Sequence, residues 1–131
     1  MNDNAVTIKN IFAGYPGKDV LFDLSMQIPA GKITVIIGPN GCGKSTLLKT
    51  MCGLLTPASG NILFGDKPLY SYSAQMLARQ IAYLPQNRPV LSTSAGHMVL
   101  QGRFPYLSYP RHYRAQDHRI AQQAMERMGI T

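Results

Sequence analysis

The chain has 131 residues, 45% of them hydrophobic and 15% charged, a composition typical of a folded globular protein rather than a disordered segment. The N-terminal "MNDNAVTIKN" lacks the basic start and apolar stretch of a signal peptide, and the aliphatic run "ITVII" is too short to cross a bilayer. A net charge of +7 permits a polyanionic partner, but the basic residues are thinly spread before residue 103, which disfavours nucleic acid. Any membrane connection is therefore expected through a partner.

The first half of the chain predicts two strands followed by a helix. The segment "VLFDLSMQI" alternates as a half-buried strand does, with one face formed by Val20, Phe22, Leu24, Met26 and Ile28. After the turn "PAG", the run "KITVIIG" does not alternate, which predicts a short strand buried on both faces of a parallel sheet. After Gly43, an apolar stripe of Leu47, Leu48 and Met51 predicts a helix that ends near Gly53.

The second half predicts shorter elements. We expect a strand in "SGNILFGD", a helix in "SAQMLARQ" and a strand in "IAYLP", followed by an irregular segment bracketed by Pro105 and Pro110. The run "QDHRIAQQAMERMG" predicts a helix that stops at Gly129, with one apolar side formed by Ile120, Ala124, Met125 and Met128. The basic, tyrosine-rich stretch from Arg103 to Arg119 favours a solvated surface over a binding patch. We place a domain boundary near residue 90, giving domains of 1–90 and 91–131.

The stretch "GPNGCGKST", residues 38–46, carries the strongest functional signal. It fits the pattern of a glycine, four residues, a glycine, a lysine and a hydroxyl residue, expected by chance in about one in two hundred chains of this length. Glycines let successive backbone N–H groups point inward as an anion site, and the following helix adds its positive end. Lys44 can then reach the β- and γ-phosphates, and Ser45 can coordinate Mg²⁺. The alternative is a glycine turn before an ordinary helix.

These residues resemble the N-terminal part of the nucleotide-binding domain of ATP-binding cassette (ABC) transporter ATPases. The resemblance covers essentially the whole chain, from "AGYPGKDVLFDLSMQIPAGKITVIIGPNGCGKSTLLKTMCGLLTPASGNILFGDKPL" to "IAYLPQ". It implies an α/β P-loop NTPase fold: an ABC-type nucleotide-binding core with an antiparallel β layer and the start of a helical subdomain. It also implies that ATP and Mg²⁺ bind at a loop formed by Gly38, Pro39, Asn40, Gly41, Cys42, Gly43, Lys44, Ser45 and Thr46.

Two further residues take roles from the same resemblance. Tyr15 in "AGYPG" matches the aromatic residue that stacks on adenine, although the residue taken alone favours a packing or turn role. Gln86 in "YLPQN" matches the glutamine that reaches the Mg²⁺ and the attacking water and links the nucleotide to the membrane partner. Lys44 and Gln86 are thus the implied catalytic residues, and Ser45 and Gln86 the implied metal ligands.

The segment "MVLQGRFPYLSYP" resembles importer ATPases for iron siderophores, haem and vitamin B12, although its glycine, arginine, aromatic and proline run also suits a generic helix end. The family's acidic pair after a second apolar strand, its later histidine and its signature sequence are not found in the chain. "LSTSAGH" at residues 91–97 lies too early to be that signature, and His97, His112 and His118 favour surface or packing roles. We therefore expect an N-terminal fragment that binds nucleotide without turnover.

The full-length protein is predicted to be the ATP-binding subunit of an ABC importer. The resemblance implies that it works as a dimer with a second ATP-binding subunit, on membrane permease subunits, at the cytoplasmic face of the inner membrane. Two alternatives remain open: a P-loop kinase that transfers the γ-phosphate to a small acceptor, and a truncated product that binds nucleotide or a partner. Some 30 residues of predicted β structure before the glycine loop disfavour the kinase.

Overall fold

The computed structural model describes residues 3–130 and divides into two compact units, the first ending at Ser73 and the second beginning at Ala74. The first unit contains the strands β1 (Asn4–Tyr15), β2 (Lys18–Pro29), β3 (Ser59–Phe64) and β4 (Lys67–Pro68), the helix α1 (Lys44–Met51) and a 3₁₀ turn at Leu69–Ser71. The second unit contains the helices α2 (Ala74–Gln80), α3 (Ala95–Gln101) and α4 (Ala115–Arg127), and a 3₁₀ turn at Phe104–Tyr106. The domain boundary predicted near residue 90 stays a prediction.

The first unit is built on an antiparallel sheet with the strand order β2-β1-β3-β4. Tyr15 pairs with Lys18 across the tight turn that joins β1 and β2, and Gly17 supplies the positive φ of 75° in that turn. One face of the sheet forms a core with Ile8, Ile11, Ala13, Leu21, Ile62 and Leu69, each at most 7% exposed. The predicted antiparallel β layer and the strand in "SGNILFGD" are confirmed.

An irregularity in the β1/β2 pairing changes which side chains of β2 face the core. Asn10 and Asp23 both have positive φ values, 50° and 46°, and the Asn10 amide donates to Asp23 Oδ1 at 2.8 Å. The register shifts on both sides of Ile11, so the strict alternation of β2 is interrupted. Leu21 is buried while Phe22 is 65% exposed, so the predicted placement of Phe22 on the apolar face is wrong.

Helix α1 lies against β1 and β2 and follows the glycine loop, as predicted. Leu47 and Met51 are buried, and Thr50 is fully buried, with its hydroxyl donating to the Thr46 carbonyl at 2.7 Å. Leu48, predicted in the apolar stripe, is instead 41% exposed, because Thr46 and Thr50 share the buried face. The helix ends at Met51, close to Gly53 as predicted, and Gly53 has a left-handed φ of 75°.

Two strands predicted for a parallel sheet are not formed in the described part of the chain. Residues 33–39 and 81–85 carry no strand pairing, and Ile33, Ile37 and Leu84 are 95%, 89% and 72% exposed. A strand buried on both faces needs hydrogen-bonding neighbours and covering helices, and the sheet described for residues 3–130 contains β1 to β4 only. The predictions of a doubly buried strand in "KITVIIG" and of a strand in "IAYLP" are wrong for this structure.

The second unit is helical, with α3 packed on α4 and α2 near the 3₁₀ turn. The predicted helices in "SAQMLARQ" and "QDHRIAQQAMERMG" are confirmed, whereas α3 was not predicted. Its start is encoded by Ser94, whose hydroxyl accepts the His97 N–H at 3.2 Å as an N-cap. The inner face of α4 carries Asp117 and Ala121, and Met128 is 77% exposed, so the predicted apolar side of α4 is partly wrong.

No helix among residues 3–130 is long and apolar enough to cross a membrane.

Candidate nucleotide-binding site

The glycines of the 38–46 loop are required for different physical reasons. Gly41 and Gly43 have φ values of 83° and 103°, the left-handed region that a side chain disfavours. A Cβ on Gly43 would also lie 3.0 Å from Leu21 Cδ2 and 3.1 Å from Val20 Cγ1, so the loop sits directly against β2. At Gly38 a Cβ would meet Cys42 Sγ at 2.6 Å. The backbone is therefore tightly curled, as a loop whose amides converge must be.

The Lys44 side chain folds back over the loop rather than extending into solvent. Its ammonium group donates to the Gly38 carbonyl and to the Pro39 carbonyl, the latter at 2.7 Å, and lies 3.6 Å from Cys42 Sγ. An ammonium group has three donors and no acceptor, so it holds a positive charge at the mouth of the loop. The loop is also closed by a backbone contact from the Cys42 N–H to the Pro39 carbonyl at 3.3 Å.

The first turn of α1 adds further positive character at the same place. Helix geometry leaves the N–H groups of the first turn without intrahelical acceptors, and the N-cap residue Gly43 has no side chain to accept from them. The first turn carries no acidic residue, so the positive end of the helix dipole is uncompensated there. Ser45, in this turn, is exposed, which makes its hydroxyl available to a ligand. The arrangement suits an anion with several oxygen atoms.

Tyr15 lies against the face of the same helix that carries Thr46 and Lys49. Its hydroxyl is 3.5 Å from Thr46 Oγ1, and Lys49 Nζ lies 5.8 Å from the centre of its ring. The hydrogen bond from Thr46 lowers the pKa of Tyr15, and the nearby Lys49 charge acts in the same direction. The ring remains 40% exposed. The structure thus places Tyr15 against the helix that follows the glycine loop.

Gln86 belongs to the second unit, where residues 86–87 form a bend after Pro85. The side chain is exposed, and the turn is held by Arg88 Nε, which donates to the Pro85 carbonyl at 3.3 Å. A role for Gln86 beside Ser45 at a metal ion stays a prediction. The segment "LSTSAGH" forms the N-cap and first turn of α3, which gives it a structural role.

Both acidic residues of the second unit make structural contacts. Asp117 accepts from Arg103 Nε at 3.0 Å and from the Arg114 N–H at 2.9 Å, and Glu126 accepts from Gln122 at 3.1 Å. Asp66 is exposed in the turn between β3 and β4. Among residues 3–130, no three His, Cys, Asp or Glu side chains are grouped closely enough to hold a metal ion.

Lys49 was not predicted as a site residue. Its spacing from Thr46 was a usable signal, because Lys49 follows Thr46 by three positions and residues three apart on a helix share a face. Without the structure, nothing placed Tyr15 next to that face.

Comparisons with known sequences identify the family of the chain. Residues 21–131 match the ABC transporter family. Petrobactin import ATP-binding protein FpuD of Bacillus anthracis is 35% identical over 128 residues, which cover 97% of this chain and 47% of that protein. Ferric enterobactin transport ATP-binding protein FepC of Escherichia coli (strain K12) is 38% identical, covering 90% of this chain and 44% of that protein. The chain spans about half the length of the curated relatives it matches.

Solved structures of ABC transporter proteins also resemble this chain. The structure of CbiO1 from Clostridium perfringens, part of the ABC transporter complex CbiONQ, aligns with a TM-score of 0.75 at 30% identity, covering 98% of this chain and 52% of that one. A putative metal-chelate type ABC transporter, at 24% identity and a TM-score of 0.70, supports the fold alone; it covers 99% of this chain and 46% of that one. The predicted α/β P-loop NTPase fold and the resemblance are confirmed: the chain belongs to the ABC transporter family.

Proposed function

We propose that the 38–46 loop binds the phosphates of Mg·ATP. The observation that carries this proposal is the Lys44 ammonium group, which lies on the loop beside the uncompensated N-terminus of α1. Backbone amides of a curled glycine loop, a helix dipole and a lysine together provide what a triphosphate needs. Gly38, Gly41 and Gly43 allow the backbone to approach the phosphates, and Pro39, Asn40, Cys42 and Thr46 complete the loop.

The remaining roles are those that the family resemblance implies. Ser45 and Gln86, the metal ligands that the family resemblance implies, are both exposed, and each carries an oxygen atom of the kind that Mg²⁺ prefers. A bound Mg²⁺ supplies charge neutralisation for the phosphate oxygens. Tyr15, with its exposed ring, stacks on the adenine base. Lys44 and Gln86 are the residues that we assign to catalysis in the complete enzyme.

We propose that the complete protein is the ATP-binding subunit of an ABC importer. Relatives named for petrobactin import, ferric enterobactin transport and manganese transport support a metal-related solute, with an iron siderophore, haem or vitamin B12 as the preferred class. In this proposal the subunit pairs with a second ATP-binding subunit, acts on membrane permease subunits and lies at the cytoplasmic face of the inner membrane. ATP binding and hydrolysis would then drive solute uptake. The family match argues against the P-loop kinase.

We further propose that the 131-residue chain alone binds nucleotide without turnover. Hydrolysis requires a group that polarises water as well as donors to the γ-phosphoryl oxygens. Asp117 and Glu126 are engaged in contacts within the second unit, and Asp66 lies in a surface turn. Since each missing general base or preorganised donor reduces the rate by roughly a hundredfold or more, turnover by this chain should be undetectable.

Isothermal titration of the purified chain with Mg·ATP tests the binding proposal. We expect Lys44→Ala to weaken binding by on the order of a hundredfold, because a charge-assisted hydrogen bond contributes about 1.5–3 kcal/mol. Lys67→Ala is the matched control, since Lys67 is an exposed lysine in β4 of the same unit and should bind normally. Equal affinities for the Lys44→Ala variant and the native chain would exclude the loop as the phosphate site.

Phosphate release by the same samples tests the second proposal. We expect no release above background from a chain that binds Mg·ATP normally. Steady release that Lys44→Ala abolishes would show that the chain hydrolyses ATP and that other residues supply the missing chemistry.

A further inference from the structure

Lys49 occupies one side of the aromatic ring that we assign to the base. Its ammonium nitrogen lies 5.8 Å from the centre of the Tyr15 ring, inside the range of about 6 Å in which a cation is attracted to a ring face. The same charge helps to lower the pKa of the Tyr15 hydroxyl, after the larger effect of the Thr46 hydrogen bond. Lys49 is itself half-buried in the last turn of α1, so its side chain is packed against the protein and not fully solvated.

Helix α1 holds Tyr15 at two points. Thr46 and Lys49 are three residues apart, which places them on one helix face. Thr46, which is buried, contacts the hydroxyl end of Tyr15, and Lys49 covers the ring. A tyrosine at the end of a hairpin otherwise keeps rotational freedom, and ordering it on ligand binding would reduce affinity. The two contacts preorganise the ring relative to the loop that begins the same helix.

We infer that Lys49 is a positioning residue of the nucleotide site: its ammonium group holds the Tyr15 ring in the orientation that receives the base. This inference rests on the proposed function, since it assumes that the loop binds the phosphates of a nucleotide. Tyr15 is 40% exposed, which leaves part of its surface open to a base. Lys49 therefore acts on the base through Tyr15, and the contribution of Lys49 depends on the base being present.

This role differs from a direct electrostatic role in a way that can be measured. A lysine that simply attracts the triphosphate would strengthen binding of ATP and of inorganic tripolyphosphate alike. A lysine that positions Tyr15 would strengthen binding of ATP alone. The two roles also differ in their dependence on Tyr15, because a positioning residue loses its effect when the residue that it positions is removed.

The experiment is a double-mutant cycle on the full chain, with Mg·ATP and Mg·tripolyphosphate as the two titrants. The single variants are Lys49→Met and Tyr15→Ala, and the double variant combines them. Lys49→Met keeps the length and the helix propensity of the side chain while removing its charge. Lys49→Gln repeats the test with a polar side chain, Lys49→Arg restores a cation, and Lys67→Met is the control for net charge.

We expect Lys49→Met and Lys49→Gln to weaken ATP binding by about two- to fivefold, the size of a cation–π contact at an exposed site. Tripolyphosphate affinity should stay unchanged, Lys49→Arg should bind ATP as the native chain does, and Lys49→Met should have no further effect in the Tyr15→Ala background. Equal weakening for both titrants, or an undiminished effect without Tyr15, would overturn the inference and leave the proposed function intact. A native chain that binds neither titrant would overturn both.

Discussion

The two units of the molecule use different cations. All six lysines of the chain precede Ala74, and all seven arginines follow it. In the first unit, Lys44 and Lys49 act as single charges, one against loop carbonyls and one over a tyrosine ring. In the second unit, Arg103 combines an ion pair with Asp117 and a stack on Tyr106, whose ring centre lies 4.1 Å from its guanidinium carbon.

Each kind of cation suits the contacts that it makes. A lysine ammonium group is a compact point charge that fits a narrow loop, while a guanidinium group is a planar fork that bonds at its edge and stacks on its face. Arg79 also uses both properties, since its Nε donates to the Pro105 carbonyl at 2.9 Å and its guanidinium lies over Tyr106. The proposed phosphate contacts therefore lie in the lysine unit, and Arg79 and Arg103 stabilise the second unit internally.

Replacing the lysine of the glycine loop by an arginine should have the largest effect of the changes that test this difference between the two units. Lys44→Arg keeps the charge, but a guanidinium group is too wide for the position between the Gly38 and Pro39 carbonyls. We expect Mg·ATP affinity to fall by on the order of a hundredfold, the loss of one charge-assisted hydrogen bond or more. Calorimetric titration measures this, with Lys67→Arg as the control. Affinity within twofold of the native chain would show that the loop needs only a positive charge.

The glycine loop can be tested separately for its backbone. Gly43→Ala adds a Cβ at a φ of 103° and against Val20 and Leu21, and should lower the free energy of unfolding by about 2 kcal/mol. Gly41→Ala is the matched comparison, because its φ of 83° is also left-handed but the added Cβ meets nothing within 4 Å. Urea unfolding should give a lower free energy of unfolding for Gly43→Ala than for Gly41→Ala. The reverse order would argue that contacts with β2 do not constrain the loop.

The converse exchange in the second unit should have a smaller effect. Arg103→Lys keeps the charge beside Asp117 but removes the planar stack on Tyr106, which contributes about 0.5–1 kcal/mol. Arg127→Lys, at an exposed position in the last turn of α4, is the control and should leave stability unchanged. Thermal unfolding monitored by circular dichroism compares the two. If the two variants have the same melting temperature, Arg103 stabilises the second unit through its charge alone.

Sequence reasoning found the elements that are specified locally. The glycine loop, α1, β2 and β3 follow from short patterns of glycine, hydroxyl and apolar residues, and the structure contains them, whereas the antiparallel β layer was predicted from the family resemblance. Residues 33–37 show where this fails, because an apolar run becomes a buried strand only when other segments pair with it. The predicted placement of Phe22 was wrong for a related reason, because the bulge at Asp23 depends on its partner Asn10 on β1. Side-chain contacts such as that between Tyr15 and Lys49 depend on tertiary packing, and no local sequence pattern predicts them.

The ion pair of the second unit gives the last prediction, which concerns pH. The Arg114 N–H and, after it, the Arg103 guanidinium hold the pKa of Asp117 below its ordinary value of about 3.9. The unfolded chain therefore binds a proton at Asp117 more readily than the folded chain does. The contribution of Asp117 is fully present above the unfolded pKa and is lost as the pH falls through the folded pKa. At neutral pH a change of one pH unit should have no effect through this residue.

Asp117→Asn provides the comparison, because it removes the titrating group and keeps its size. Between about pH 5 and pH 3 the native chain should lose stability more steeply than this variant, since only the native carboxylate takes up a proton there. Urea unfolding at a series of pH values measures both slopes. Parallel curves for the two chains would mean that Asp117 titrates alike in the folded and unfolded states, and that Arg103 is held by its stack on Tyr106 rather than by its ion pair.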